Sequence, residues 1–147
     1  MRLVLDTNVV VAALRSPSGA SAALVEQALD RRFSLLLSVP LVLEYEGTCR
    51  DPAQRIASGL SEAEVGTIVS ALCAVAEPVH AWFLWRPQLR DPADEMVLET
   101  AVNGNADALV TFNSRDFGDV PGTFGIEMLS PRQALGKIAA RRKGEPK

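Results

Sequence analysis

An unbroken apolar run that ends in an acid constrains the fold of this chain more than any other stretch. Residues 3–5 are Leu, Val and Leu, as in a central parallel strand that is covered on both faces. The run stops at Asp6, and residues 9–14 then follow a helical pattern. Open α/β sheets bind their ligands at the carboxyl ends of the strands, so Asp6 is a candidate for chemistry. The alternative is that Asp6 or Asn8 only caps the helix.

Farther along the chain, apolar strands and amphipathic helices alternate. Further strands are predicted at residues 33–37, 78–82, 108–111 and 126–129. Further helices are predicted at residues 20–31, 40–48, 61–75 and 91–103 and after Ser130-Pro131, and residues 51–58 form either a short helix or a loop. This alternation predicts a single α/β domain around a mostly parallel sheet.

The composition of the 147 residues narrows the classes of protein that remain. No apolar run is long enough to span a membrane. Cys49 and Cys73 have neither metal-site spacing nor a disulfide pattern, which favours a cytoplasmic protein.

The net charge of −3 conceals a basic C-terminus. We therefore predict a domain over residues 1–135 and a basic tail over residues 136–147. Such a tail either contacts a phosphate backbone or is simply solvated. Its candidate RNA-binding residues are Lys137, Arg141, Arg142 and Lys143.

A second candidate acid lies in the helix predicted at residues 91–103. Asp94 shares a helical face with Leu98 and Ala101, so it faces the sheet. Asp91 is placed to cap this helix and Pro92 to begin it, which gives Asp91 a structural interpretation. Asp94 also has a structural interpretation, because its side chain can reach back to the N-cap residue as in a capping box.

Two further acids are predicted at the same edge of the sheet. Asp116 follows the strand at residues 108–111, although it is alternatively a turn residue or a partner for Arg115. Thr111 and Asn113 supply neutral hydrogen-bonding groups between them. Glu44 lies on a helical face that can point inward, but periodicity alone does not choose between Glu44 and Glu46.

Four carboxylates at one edge would repel one another, and no lysine or histidine is placed to neutralise them. The lone His80 is more simply read as structural. Mg²⁺ or Mn²⁺ resolves the repulsion, because these hard cations prefer carboxylate oxygens. A cation held in this way activates water and polarises a phosphoryl group, which indicates phosphodiester hydrolysis.

These residues resemble the PIN-domain ribonucleases, and most of all the VapC-like toxin components of toxin–antitoxin pairs. The similarity spans about residues 1–135 and rests on Val4-Leu5-Asp6-Thr7-Asn8, Glu44, Asp94 seven residues before Ala101, and Val110-Thr111-Phe112-Asn113-Ser114-Arg115-Asp116-Phe117.

The resemblance implies a five-stranded parallel sheet in the order 3-2-1-4-5, flanked by helices. It also implies endoribonuclease activity, a homodimer and an antitoxin partner. The implied ligands of Mg²⁺ or Mn²⁺ are Asp6, Glu44, Asp94 and Asp116, with Asn8, Thr111 and Asn113 in support. Asp91 and Glu95 flank Asp94, so either is an alternative to it, and Asp91 is also a predicted supporting residue.

Two other functions compete with this interpretation. A phosphatase of the haloacid-dehalogenase type also uses an aspartate after its first strand. It needs a second aspartate two residues later, where this chain has Asn8, and a lysine that the sequence does not place. A catalytically idle module for binding RNA or a protein would not require all four acids.

Overall fold

One five-stranded parallel sheet forms the centre of the protein. The structure is a computed structural model that describes residues 1–80 and 88–144. The strands are β1 (Arg2–Leu5), β2 (Ser34–Leu37), β3 (Glu77–Pro78), β4 (Ala108–Val110) and β5 (Glu127–Leu129). Every pairing is parallel and the order is β3-β2-β1-β4-β5. The predicted fold class and strand order are thereby confirmed.

Helices surround this sheet and account for most of the described residues. They are α1 (Thr7–Arg15), α2 (Ala20–Leu29), α3 (Val39–Arg50), α4 (Pro52–Ser58), α5 (Glu62–Val75), α6 (Pro92–Asn103), α7 (Ser114–Phe117), α8 (Val120–Thr123) and α9 (Pro131–Gly144). The segment at residues 51–58, which the sequence left open between helix and loop, therefore contains a helix.

Two neighbouring strands at the middle of the sheet, β1 and β4, are buried except for Arg2 at the start of β1. Residues 3–5 of β1 and residues 108–110 of β4 have no exposed surface, which agrees with their continuous apolar sequence. Leu3 pairs with Ala108 and Leu5 with Val110, so both strands end at the same level. The residues that follow Leu5 and Val110 are therefore brought to one edge of the sheet.

Side-chain caps begin the helices where the sequence places cap residues. Ser38 accepts a hydrogen bond from the Leu41 N–H, and Ser61 and Glu64 form a capping box at the start of α5. Asp91 caps α6 by accepting from the Ala93 N–H at 2.9 Å. Each cap satisfies backbone donors that would otherwise have no partner.

The sequence was less successful at the edge strand. The strand predicted at residues 78–82 is β3, which begins one residue earlier and ends at Pro78. A proline is tolerated there because β3 lies at the edge of the sheet, where its missing N–H breaks no ladder. The end of that predicted strand falls on residues 81–87, outside the described residues.

The basic C-terminal segment is helical as far as Gly144. Helix α9 continues past residue 135 without a break, and Ile138 is buried. Lys137 pairs with Glu127 at 3.2 Å and Arg141 with Asp107 at 3.3 Å. Both acids lie at the amino ends of strands, at the edge of the sheet opposite Asp6. Contact of this segment with RNA stays a prediction.

None of the described helices is both long and apolar enough to cross a membrane by itself. Helices α4 and α5 together have the required length and composition, but they meet at an angle of 85°. Val65, Val69 and Leu72 of α5 are buried in the core.

A single buried tyrosine ties α3 to the end of β1. The Tyr45 side chain is completely buried, and its hydroxyl donates a hydrogen bond to the Leu5 carbonyl oxygen. Burial raises the pKa of Tyr45 well above its usual value, and the nearby charge of Asp6 raises it further. The hydroxyl therefore remains a donor at any working pH, one residue before Asp6.

We predict that Tyr45→Phe lowers the free energy of unfolding by about 1–3 kcal/mol, because the Leu5 carbonyl loses a buried donor. Urea denaturation measures the change, and the slope with urea should stay at the wild-type value. Thr67→Val is the control, because it removes an exposed hydroxyl from α5 and should cost less than about 0.5 kcal/mol. Equal stability of Tyr45→Phe and wild type would show that this hydrogen bond does not hold α3 in place.

Candidate active site

The Asp6 carboxylate lies at the carboxyl end of β1 and is fixed by a neighbouring strand end. Asp6 is only 7% exposed. The Thr111 hydroxyl donates to Asp6 Oδ2 at 2.7 Å and accepts from the Asn113 N–H at 3.0 Å. Asp6 occupies the N-cap position of α1, but its side chain makes no capping hydrogen bond. The capping interpretation therefore does not account for this carboxylate.

The pKa of Asp6 is raised above its ordinary value, and burial is the main cause. Hydrogen bonds from Thr111 and from the Thr7 backbone lower the pKa of Asp6 but do not cancel the effect of burial. The charges of Asp116 and Glu44 raise it further. Two of the other predicted acids are thus close enough to act on Asp6 electrostatically.

Asp94 lies in the first turn of α6 and belongs to the same group of charges. Its pKa is raised to about 6, first by burial and then by Asp6, Asp91 and Asp116. No side-chain hydrogen bond links Asp94 to the helix cap among the described residues, since Asp91 alone accepts there. Asp91 is exposed and has the predicted capping role. It is also close enough to Asp94 for its charge to raise the pKa of Asp94.

The two glutamates of α3 point to different places, which periodicity could not decide. Glu44 acts on Asp6, and the Thr48 hydroxyl donates to Glu44 Oε1 at 3.4 Å. Glu46 pairs with Arg50 at 2.6 Å, and its charge adds to burial, the larger cause, in raising the pKa of Cys73 on α5. Glu44 is therefore the member of the pair that joins the other acids.

The sequence did not show what Glu95 does. This carboxylate is 8% exposed and accepts hydrogen bonds from the Gln88 and Leu89 N–H groups at 2.8–3.0 Å. It thereby holds the segment that leads into α6, rather than standing in for Asp94. The only signal for this contact in the sequence is the position of Glu95 on the inner side of the first helical turn. A buried carboxylate there needs hydrogen-bond donors, and the preceding loop can supply them.

Two clefts flank the acids. Cleft A has a volume of about 540 Å³ and is lined by residues of α1, α3 and α4, namely Thr7, Asn8, Val11, Ala12, Arg15, Ser16, Glu44, Thr48 and Gln54. Cleft B has a volume of about 460 Å³ and is lined by Gln88, Leu89, Arg90, Asp91, Asp94, Arg115, Asp116, Phe117 and Gly118. Arg15, Gln54 and Arg90 were not predicted for this site, because polar residues outside the core carry no periodic signal on helices and loops.

The donor chemistry of the acids fits a hard divalent cation. The four acids offer only carboxylate oxygens as ligands. The charges of Asp116 and Glu44 raise the pKa of Asp6, and the charge of Asp6 raises the pKa of Asp94. As placed in residues 1–80 and 88–144, no three acidic, histidine or cysteine side chains are grouped to hold a metal ion. The fit to a hard cation therefore rests on the type and charge of the donor groups.

The raised pKa of Asp94 predicts how the metal-free protein responds to pH. A carboxyl group with a pKa of 3.8 when unfolded and about 6 when folded binds more protons in the folded state between these values. Its contribution to the free energy of unfolding therefore falls as pH rises from 3.8 to about 6, and changes little above that.

Asp94→Asn should flatten that part of the stability profile, measured by urea denaturation in chelator at a series of pH values. Asp119→Asn, an exposed acid before α8, should retain the wild-type slope. Identical slopes for Asp94→Asn and wild type would contradict the raised pKa of Asp94.

Comparison with known proteins agrees with this geometry. A family model described as PIN domain matches residues 2–115, which include Asp6, Glu44 and Asp94 and end one residue before Asp116. No match was found among curated proteins. PIN domains are typically metal-dependent nucleases. Because the match covers most of the chain, the protein belongs to the PIN-domain family.

Proposed function

We propose that this protein is an endoribonuclease that cleaves single-stranded RNA and depends on Mg²⁺ or Mn²⁺. The observation that carries the proposal is the convergence of carboxylates from separate segments on Asp6. Glu44 comes from α3, Asp94 from α6 and Asp116 from α7, and the charge of each is coupled to that of Asp6. A site of like charges at the carboxyl edge of a parallel sheet is costly for the fold, which favours a functional explanation.

In this proposal Asp6, Glu44, Asp94 and Asp116 hold the cation through carboxylate oxygens. When bound, the cation would lower the pKa of a water molecule and polarise the phosphoryl group of the substrate. The protein's own contribution is to fix the ligands. Thr111 and the Asn113 N–H orient Asp6, and Thr48 contacts Glu44.

Arginines beside the acids support a phosphate-containing substrate. Arg90 and Arg115 line cleft B together with Asp94 and Asp116. Their guanidinium groups can contact phosphate oxygens next to carboxylates that would by themselves repel RNA. Glu95 fixes the backbone just before Arg90 and so helps to position this side of the cleft.

The sizes of the two clefts favour single-stranded RNA as the substrate. Each has the volume of a small-ligand site, which suits one splayed nucleotide rather than a duplex. Single-stranded segments are also where proteins reach unstacked bases.

The resemblance to VapC-like proteins supports a finer proposal, in which this nuclease is the toxin of a toxin–antitoxin pair. A cognate antitoxin, a homodimeric assembly and a cytoplasmic location belong to the same proposal. Both cysteines are free thiols, which is compatible with a reducing compartment.

The family match argues against one of the two competing functions and is compatible with the other. Membership of the PIN-domain family argues against the haloacid-dehalogenase type of phosphatase. An idle binding module would share the family and the fold, so only an activity measurement separates it from the nuclease.

We predict that the purified protein cleaves single-stranded RNA in Mn²⁺ or Mg²⁺ and that chelator abolishes the cleavage. Asp94→Asn should lower the cleavage rate by about a hundredfold or more, because a bound cation supplies several kcal/mol of stabilisation. Gel analysis of a labelled oligonucleotide measures the rate, and circular dichroism checks the fold.

Asp119→Asn is the matched control, since this exposed aspartate lines neither cleft, and it should cleave at the wild-type rate. RNA binding without cleavage by the wild-type protein would identify an idle module. Cleavage by Asp94→Asn at the wild-type rate would remove Asp94 from the site.

A further inference from the structure

Cleft A begins at Glu44 and Asn8, near Asp6, and runs along one face of α1 towards the C-terminal end of that helix. Its α1 residues are Thr7, Asn8, Val11, Ala12 and Arg15, whose spacing of three to four residues puts their side chains on one face. Asn8 and Glu44 stand at the end near Asp6, and Arg15 lies about 10 Å along the axis from Asn8. The cleft therefore connects the acid site with an exposed cation at the far end of the helix.

The walls of cleft A are mainly apolar between these two ends. Val11 and Ala12 provide aliphatic surface, without the acids that line cleft B. A flat, largely apolar group such as a nucleobase would bury its face against this surface. The apolar middle and the cationic Arg15 end together match a base and the phosphate that follows it.

Two carboxamides in the lining have unused hydrogen-bonding capacity. Asn8 Oδ1 and Gln54 Oε1 are buried, and neither has a hydrogen-bond partner among the described residues. Buried acceptors without a partner are uncommon in folded proteins and call for an explanation. A carboxamide presents a donor and an acceptor side by side, which is how asparagine and glutamine pair with the edges of bases.

We propose that cleft A is a base-selective subsite for the nucleotide next to the scissile phosphate. The base packs on Val11 and Ala12, the carboxamides of Gln54 and Asn8 rotate about their soft terminal torsions to pair with its edge, and Arg15 contacts the following phosphate. This assignment rests on the proposed ribonuclease activity and adds to it a preference for particular bases, set mainly by Gln54.

The test compares cleavage of four short RNA oligonucleotides that differ only in the base beside the cut, in Mn²⁺. Wild type should prefer one base, and Gln54→Leu should reduce that preference by about tenfold while cleaving the poorest substrate at a similar rate. Gln27→Leu is the matched control, because Gln27 Oε1 is also buried without a partner but Gln27 does not line cleft A. It should retain the wild-type preference.

A second pair of variants tests the far end of the cleft. Arg15→Ala should raise KM several-fold with little change in kcat, and it should reduce the salt dependence of RNA binding by about one phosphate contact. Arg32→Ala, an exposed arginine before β2 at the opposite edge of the sheet, should leave both quantities unchanged. The comparison of Arg15→Ala with Arg32→Ala tests the subsite even if Gln54→Leu fails to fold.

The outcomes separate the two proposals. If wild type cleaves no RNA, the proposed function fails and this subsite fails with it. If wild type cleaves RNA but shows no base preference, or if Gln54→Leu and Arg15→Ala behave like their controls, the ribonuclease stands and the base subsite is overturned. In the latter case a segment of a protein partner becomes the occupant to test.

Discussion

The buried carboxylate of Asp6 is the constraint around which the functional part of this structure is arranged. A charge at the end of a fully buried strand needs compensation, and the only side-chain donor that reaches it within the described residues is the Thr111 hydroxyl. That contact depends on β1 and β4 ending at the same level, which the register of Leu5 with Val110 provides. The Tyr45 hydrogen bond to Leu5 fixes α3 at the same point and so brings Glu44 near Asp6.

The site favours function at the expense of stability. Burial and mutual repulsion raise the pKa of both Asp6 and Asp94, so ionisation of these groups opposes folding. A divalent cation would remove the repulsion and stabilise the fold by binding only its native state. The clefts on the two sides differ in character, because cleft B is lined by acids and arginines, whereas the middle of cleft A is aliphatic. A bound strand would therefore meet different chemistry on each side of the acids.

The sequence located the four longer strands because buried parallel strands leave continuous apolar runs, as at residues 3–5 and 108–110. The strand order, which the structure confirms, was implied by the resemblance to PIN-domain proteins and not by these runs. The sequence also located Asp91 as a cap, since capping depends on local residue types. It could not separate Glu44 from Glu46, because both lie on a partly buried helix and only the Arg50 pair and the position of Asp6 distinguish them. The clamp by Glu95 and the lining of cleft A by Gln54 arise from tertiary contacts that leave no periodic pattern.

Thermal unfolding of wild type and Asp6→Asn, each with chelator and with Mn²⁺, tests most directly whether the acids form one cation site. Asp6→Asn keeps an acceptor for Thr111 but removes one repelling charge, so in chelator it should melt at or above the wild-type temperature. In Mn²⁺ it should gain less stability than wild type, whereas Asp30→Asn, an exposed acid after α2, should gain as much as wild type. An equal Mn²⁺ response of Asp6→Asn and wild type would show that Asp6 is not a ligand and would contradict this account.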